Sequence, residues 1–339
     1  MKPLTGSEFQ TALKNGSLPS VLLFTGEEEY FKQNAFQALR AACLPEGLES
    51  LNEAILEDAE TDAIIAACET VPFMADHRLV IVRDHPSIAG RAEAEDKLIG
   101  YLSSVPPTTF LVFYCTGKVD ERKKLPATVK KAGAIVAYNR LKDQALTDWV
   151  IQAFEEHGRK CDRRAADLLV FTCGTDANLL SGEIQKIAAY HPEEPSVSAA
   201  DIESLATPST ECTVFQMVDA VVDGKSARAL TLAHNLRRNG ESVVLLLSLL
   251  LRQYKLIQHV KILQLEKRSF PEIKSMLGVP DFVATQCIRQ ASGYTGGQVR
   301  DAVKICLDAE YGQKSGQLNE EGLLETVILK LLLLKNPKE

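Results

Sequence analysis

Val21-Leu22-Leu23-Phe24-Thr25-Gly26-Glu27-Glu28-Glu29-Tyr30-Phe31-Lys32 is the stretch on which the fold turns. Residues 21–24 read as a short apolar strand that stops at Thr25-Gly26, and residues 28–41 continue as a helix. Strand, glycine turn and helix at the start of an α/β domain is where a P-loop sits. That loop needs G-x-x-x-x-G-K-[ST]: glycines let backbone N–H groups wrap the phosphates, the lysine neutralises them and the hydroxyl holds magnesium. Here Tyr30-Phe31 occupies the place of the second glycine, and Gly26 is followed by Glu27, Glu28 and Glu29. Three carboxylates in the phosphate cradle repel a triphosphate; the alternative is an acidic first turn that complements the helix dipole. On either reading Gly26–Glu29 is a degenerate nucleotide loop, and no nucleotide is expected there.

Outward from this loop, short apolar runs recur at residues 51–56, 79–82, 110–113 and 134–137. Helical patterns separate them at 62–69, with Thr61 as its cap, near 92–102 and at 122–131. Fully apolar strands alternating with helices predict a parallel sheet covered on both faces. After Asn139 the strands are expected to stop. Residues 142–157, 163–173, 179–189 and 199–205 read as a small helical unit, and Thr207-Pro208-Ser209-Thr210 as a linker. Residues 215–223, 226–239, 242–265, 280–292, 299–311 and 318–334 read as a second helical set, which can serve as an oligomerisation collar. The expected division is therefore 1–140, 141–209 and 210–339, an α/β domain followed by all-α parts.

Length agrees, because 339 residues exceed one compact core and suit two or three units. A net charge of −7 argues against a chain whose main task is coating nucleic acid, although residues 118–142 and 225–268 are locally basic. No two of the eight cysteines lie within four residues of each other, so no CxxC half-site for zinc exists. Reduced thiols in a core-rich chain suit the cytoplasm. The first residues carry no apolar run that reads as a signal peptide, and the leucine-rich runs at 243–251 and 327–334 are shorter than the ~18 residues needed to span a bilayer. The six histidines show no HxxxH or HExxH spacing, and no G-x-S-x-G elbow is present. Gly224-Lys225-Ser226 imitates the end of a P-loop, but Asp219 stands where its first glycine should be. After the third strand, Arg83-Asp84 is a poor magnesium holder. No catalytic residue, cofactor or metal is expected.

Two features remain. Thr70-Val71-Pro72-Phe73-Met74-Ala75-Asp76 lies between a helix and the third strand. Either Phe73 tucks back into the core, or Phe73 and Met74 form an exposed tip for a partner's apolar pocket, as aromatic anchors do. Lys118, Arg122, Lys123 and Lys124 form a basic run with Lys130-Lys131 after it. It reads either as a solvated helix face or as a phosphate contact without base specificity.

The ordered set resembles the delta subunit family of bacterial DNA polymerase III. The resemblance rests on residues 22–28, the 71–79 segment before its strand, and residues 110–118 with the basic run 120–125. It continues through Val214-Phe215-Gln216-Met217-Val218-Asp219-Ala220, Gly224-Lys225 and the leucine-rich helix from Val243. It implies an AAA+-like domain without a P-loop, a helical lid and a helical collar. It implies a clamp-loader subunit that opens the beta sliding clamp without hydrolysing ATP, inside a nucleotidyltransferase holoenzyme. The implied partners are the beta clamp, the ATPase (tau/gamma) and delta-prime subunits, and primed DNA, with no membrane. Two adjacent hydrophobic residues before the third strand dock on the clamp in that family, and these fall on Phe73 and Met74, flanked by Val71 and Pro72. The pattern departs from the Leu-Phe pair of the best-known members. An ATP-binding AAA+ remodeller or helicase loader is the competing expectation.

Overall fold

Every side chain of β1 (Val21–Thr25) is buried, because the strand lies between two parallel neighbours and under helices on both faces. The computed structural model describes residues 3–89, 96–141, 143–190, 193, 195–279 and 281–335. The chain divides into two units, Met1–Lys142 and Asp143–Glu339.

In the first unit, α1 (Gly6–Lys14), α2 (Glu29–Cys43) and α3 (Glu49–Asn52) accompany β1 and lead to β2 (Glu53–Glu57). Then follow α4 (Thr61–Glu69), β3 (Arg78–Arg83), α5 (Pro86–Ala89), α6 (Asp96–Tyr101), β4 (Thr109–Tyr114), α7 (Lys124–Ala132) and β5 (Ala134–Ala137). The sheet has the order β2-β3-β4-β1-β5, every pair parallel. Leu22, Phe24, Leu79, Ile81 and Val112 pack on one face against Phe9 of α1 and Phe36 and Leu39 of α2. Leu23, Val80, Val82, Leu111 and Phe113 pack on the other against Ile64 of α4, Leu98 of α6 and Val129 of α7. Both faces being covered is what makes the strands apolar throughout.

Several boundaries differ from the sequence reading. The second strand starts at Glu53, because Leu51 and Asn52 end α3. Thr61 is the buried first residue of α4 rather than its cap, which falls on Glu60. The unforeseen α1 carries a capping box from Thr5 and Glu8. Of the helix expected near 92–102, residues 90–95 lie outside the described residues.

The second unit is not free of strands. β6 (Lys160–Cys161) and β7 (Ser196–Val197) form a two-residue parallel pair among α8 (Asp143–Glu156), α9 (Arg163–Cys173), α10 (Ala177–Tyr190) and α11 (Ala199–Leu205). Then come α12 (Thr210–Val222), α13 (Ser226–Arg238), α14 (Val243–Leu265), α15 (Phe270–Leu277), α16 (Asp281–Ser292), α17 (Gly296–Lys314) and α18 (Leu323–Lys335). The reading missed α15, although Ser269 and Glu272 form a capping box and Pro271 stands in its first turn. Gly224 has φ +71° and joins α12 to α13, so Gly224-Lys225-Ser226 is a turn between helices. Residues 207–210 are not a loose linker: Thr207 N–H donates to Glu183 at 2.9 Å and Ser209 caps α12. Phe171 of α9 meets Phe215 of α12 edge-on at 5.2 Å, across the boundary expected at 209.

Among the described residues, α14 is the helix long and apolar enough to cross a bilayer by length and composition, with half of that window buried. Its buried residues Val243, Leu246, Leu247, Leu250, Tyr254 and Ile257 recur at helical spacing and belong to the main core of this unit. The eight cysteines are all buried and unpaired; burial pushes the Cys68 thiol up to about 12.

Candidate functional site

The crevice at the carboxyl ends of a doubly wound sheet, where the strand order reverses, is the usual ligand position of such folds. Here β1 leads to the far edge strand β2, while β4 and β5 flank it. The loops after β1, β4 and β5 therefore meet at Gly26, Cys115 and Tyr138. Gly26 has φ +116°, and a Cβ on it would lie 1.9 Å from the Tyr138 carbonyl oxygen, so only glycine fits.

The groups that would hold phosphate are engaged within the chain. Gly26 N–H donates to the Gly117 carbonyl at 2.8 Å, and Glu28 N–H to the Tyr138 carbonyl at 3.0 Å. Lys32 stands six residues after Gly26, the spacing of a P-loop lysine, which the sequence reading passed over. Its side chain is fully buried. Its ammonium donates to the Gly26 carbonyl at 3.1 Å and the Cys115 carbonyl at 2.8 Å, and pairs with Glu29 at 2.7 Å. It also lies over the Tyr114 ring, 5.1 Å from the centroid, and the Tyr114 hydroxyl bonds Glu29. Burial pushes the Glu29 carboxyl up, but the bonds from Lys32 and Tyr114 outweigh it and hold the carboxyl below its ordinary range.

The three glutamates thus do different things. Glu29 alone sits in the first turn of α2; Glu28 is buried at the N-cap position without a side-chain cap bond. Glu27 is exposed and pairs with Lys118 at 3.2 Å. At the end of β3, Asp84 accepts from Thr116 N–H at 2.7 Å and its hydroxyl at 2.8 Å, tying the ends of β3 and β4 together.

The apolar tip follows α4. Val71 is 80%, Phe73 53% and Met74 77% exposed, with Pro72 half-buried. The stems of this loop are fixed. Arg78 donates to the Ala67 carbonyl at 2.9 Å and the Leu51 carbonyl at 3.0 Å. The Thr109 and Thr70 hydroxyls bond the Cys68 and Ala66 carbonyls, satisfying the last turn of α4. Asn52, fully buried at the end of α3, bonds both backbone polar groups of Phe73. Met74 has φ +51°, a conformation that side chains rarely adopt. Three exposed apolar side chains thus stand on a backbone held by side chains of α3 and β3.

The basic run is less free than its sequence suggests. Arg122 forms a bidentate pair with Asp120 at 2.9 Å, Lys124 pairs with Asp96 and Lys130 with Glu121 at 2.7 Å. Lys123 is exposed at the N-cap of α7. Pairs this exposed are screened by water and hold weakly, so they do not bar a phosphate from Lys118, Arg122, Lys123 or Lys124.

Two family models match the chain. The model of DNA polymerase III, delta subunit, matches residues 22–139, and that of the C-terminal domain of the DNA polymerase III delta subunit matches residues 211–331. DNA polymerase III subunit delta of Bacillus subtilis (strain 168) is 26% identical over 330 residues, 95% of each chain. Its counterpart in Escherichia coli (strain K12) is 21% identical over 251 residues, 73% of this chain and 72% of that one. The solved structure of the Bacillus subtilis DNA clamp loader delta protein matches with a TM-score of 0.60 at 24% identity, over 96% of this chain and 99% of that one. It has the same fold. With both its α/β part and its C-terminal helical part matched, the chain belongs to the DNA polymerase III delta subunit family.

Proposed function

We propose that this chain binds and opens the beta sliding clamp so that the ring can be loaded on primed DNA. The observation that carries the reading is the exposed Phe73-Met74 tip on a backbone fixed by Asn52 and Arg78. ATP-driven rearrangement of neighbouring loader subunits, the tau/gamma ATPases and delta-prime, presents the tip to one clamp protomer. Docking is stronger to the open ring than to the closed one, and that difference in affinity shifts the ring toward opening. The chain supplies no hydrolysis, in keeping with a nucleotide loop whose amides and Lys32 already bond the chain itself. The basic run lies along the path of the DNA. A cytoplasmic place, beside the replicative polymerase, follows from this role.

The test is equilibrium binding of purified sliding clamp to the wild-type chain and to Phe73→Ala/Met74→Ala. Each anchor is expected to contribute about 2 kcal/mol or more, so the double variant loses at least two orders of magnitude in affinity. Unchanged affinity in the folded variant overturns the assignment. Micromolar ATP binding by the isolated chain in calorimetry favours an ATPase instead.

A further inference from the structure

We infer that Asn52 is the positioning residue of the apolar tip, presenting Phe73 and Met74 in their docking conformation before a partner arrives. The inference rests on reading the tip as the clamp contact. Asn52 is fully buried, and a buried amide is costly unless its polar atoms are matched. Its Oδ1 accepts from Phe73 N–H at 2.6 Å; its Nδ2 donates to the Phe73 carbonyl at 3.0 Å and to the Leu48 carbonyl at 3.1 Å. Both Nδ2 hydrogens are thus in use. The side chain reaches across 21 residues of sequence to grip one residue by both of its backbone groups, as a neighbouring strand would.

The grip itself has a firm base. Asn52 ends α3, and the Leu51 carbonyl beside it is held by Arg78, which also holds Ala67 at the other stem of the loop. Gripped at Phe73 and turned through φ +51° at Met74, the backbone directs two neighbouring apolar side chains outward. Without Asn52 the tip must order on docking, and ordering weakens binding. No apolar residue can replace these three bonds, and aspartate would face two carbonyl oxygens without a donor.

The experiment measures sliding-clamp affinity for four full-length chains: wild type, Asn52→Ala, Phe73→Ala and the double variant. Asn52→Ala is expected to weaken binding roughly three- to tenfold, with faster hydrogen exchange at the Phe73 amide. Its effect is expected to shrink in the Phe73→Ala background, because only Met74 is then left to position. An equal loss in that background means general damage and overturns the inference. Wild-type affinity in folded Asn52→Ala, with Phe73→Ala impaired, overturns the positioning role alone. Unchanged affinity in Phe73→Ala overturns the reading of the tip itself. If Asn52→Ala does not fold, Asn52→Ser, whose shorter side chain can still donate to the Leu48 carbonyl one turn back but does not span to both groups of Phe73, takes its place with the same outcomes.

Discussion

Lys32 stands where a P-loop lysine would meet phosphate, and its ammonium meets Gly26, Cys115 and Glu29 instead. Lys32→Met leaves two carbonyls without a donor and Glu29 without its cation. The expected cost in urea unfolding is about 2–3 kcal/mol, below the ~3–5 for breaking a fully buried pair because the Glu29 carboxylate is 38% exposed. Glu29 also gives acid sensitivity a sign. Its folded value lies below the ordinary 4.5, so its contribution is fully present above that value and is lost as pH falls through the folded one. Unfolding free energy measured between about pH 6 and pH 3 should therefore fall more steeply in wild type than in Glu29→Gln. The spacing of Lys32 from Gly26 was legible in the sequence. Its inward direction was not, because it depends on carbonyls at the ends of β1 and β4, 83 residues apart for Lys32 and Cys115.

At the scale of elements, α3, α4 and β3 together make the tip. An apolar residue in a loop between a helix and a strand can turn in or out, and the sequence left both open for Phe73. The choice belongs to Asn52 and Arg78, which consume backbone groups on either side and leave the side chains outside. A consequence separates docking from folding. Phe73→Ala should change the unfolding free energy by less than about 0.5 kcal/mol, as exposed substitutions do, while clamp affinity collapses. A large loss of stability would show that Phe73 works for the core. The basic run, read from sequence as a solvated helix face or a phosphate contact, makes the opposite point: Lys118 and Lys124 find acidic partners on other segments, and Arg122 pairs with Asp120 two residues before it.

On the scale of the whole molecule, the two units have separate cores: sheet and helices in residues 1–142, and in residues 143–339 helices of which α12 and α15–α18 pack on α14. Separate cores predict separable unfolding. Leu23→Ala and Leu250→Ala each remove a fully or almost fully buried side chain and should cost about 2–5 kcal/mol in their own unit. Differential scanning calorimetry should show Leu23→Ala lowering one transition and Leu250→Ala the other. A single transition lowered equally by both would mean that the units fold as one.

The sequence by itself determined the parallel sheet, the helical remainder and the failure of the phosphate motif. Those are local properties: apolar runs of strand length, helical periodicity, and the residue types allowed at fixed spacing after a glycine. Only the tertiary structure decided where Lys32 points, which of three glutamates reaches it, and that Phe73 is held outward. It also placed the short β6–β7 pair and joined α9 to α12 through Phe171 and Phe215. Apart from the Glu29–Lys32 pair, three residues apart, each of these depends on groups tens of residues apart meeting within about 3–5 Å, which neither propensity nor spacing along the chain encodes.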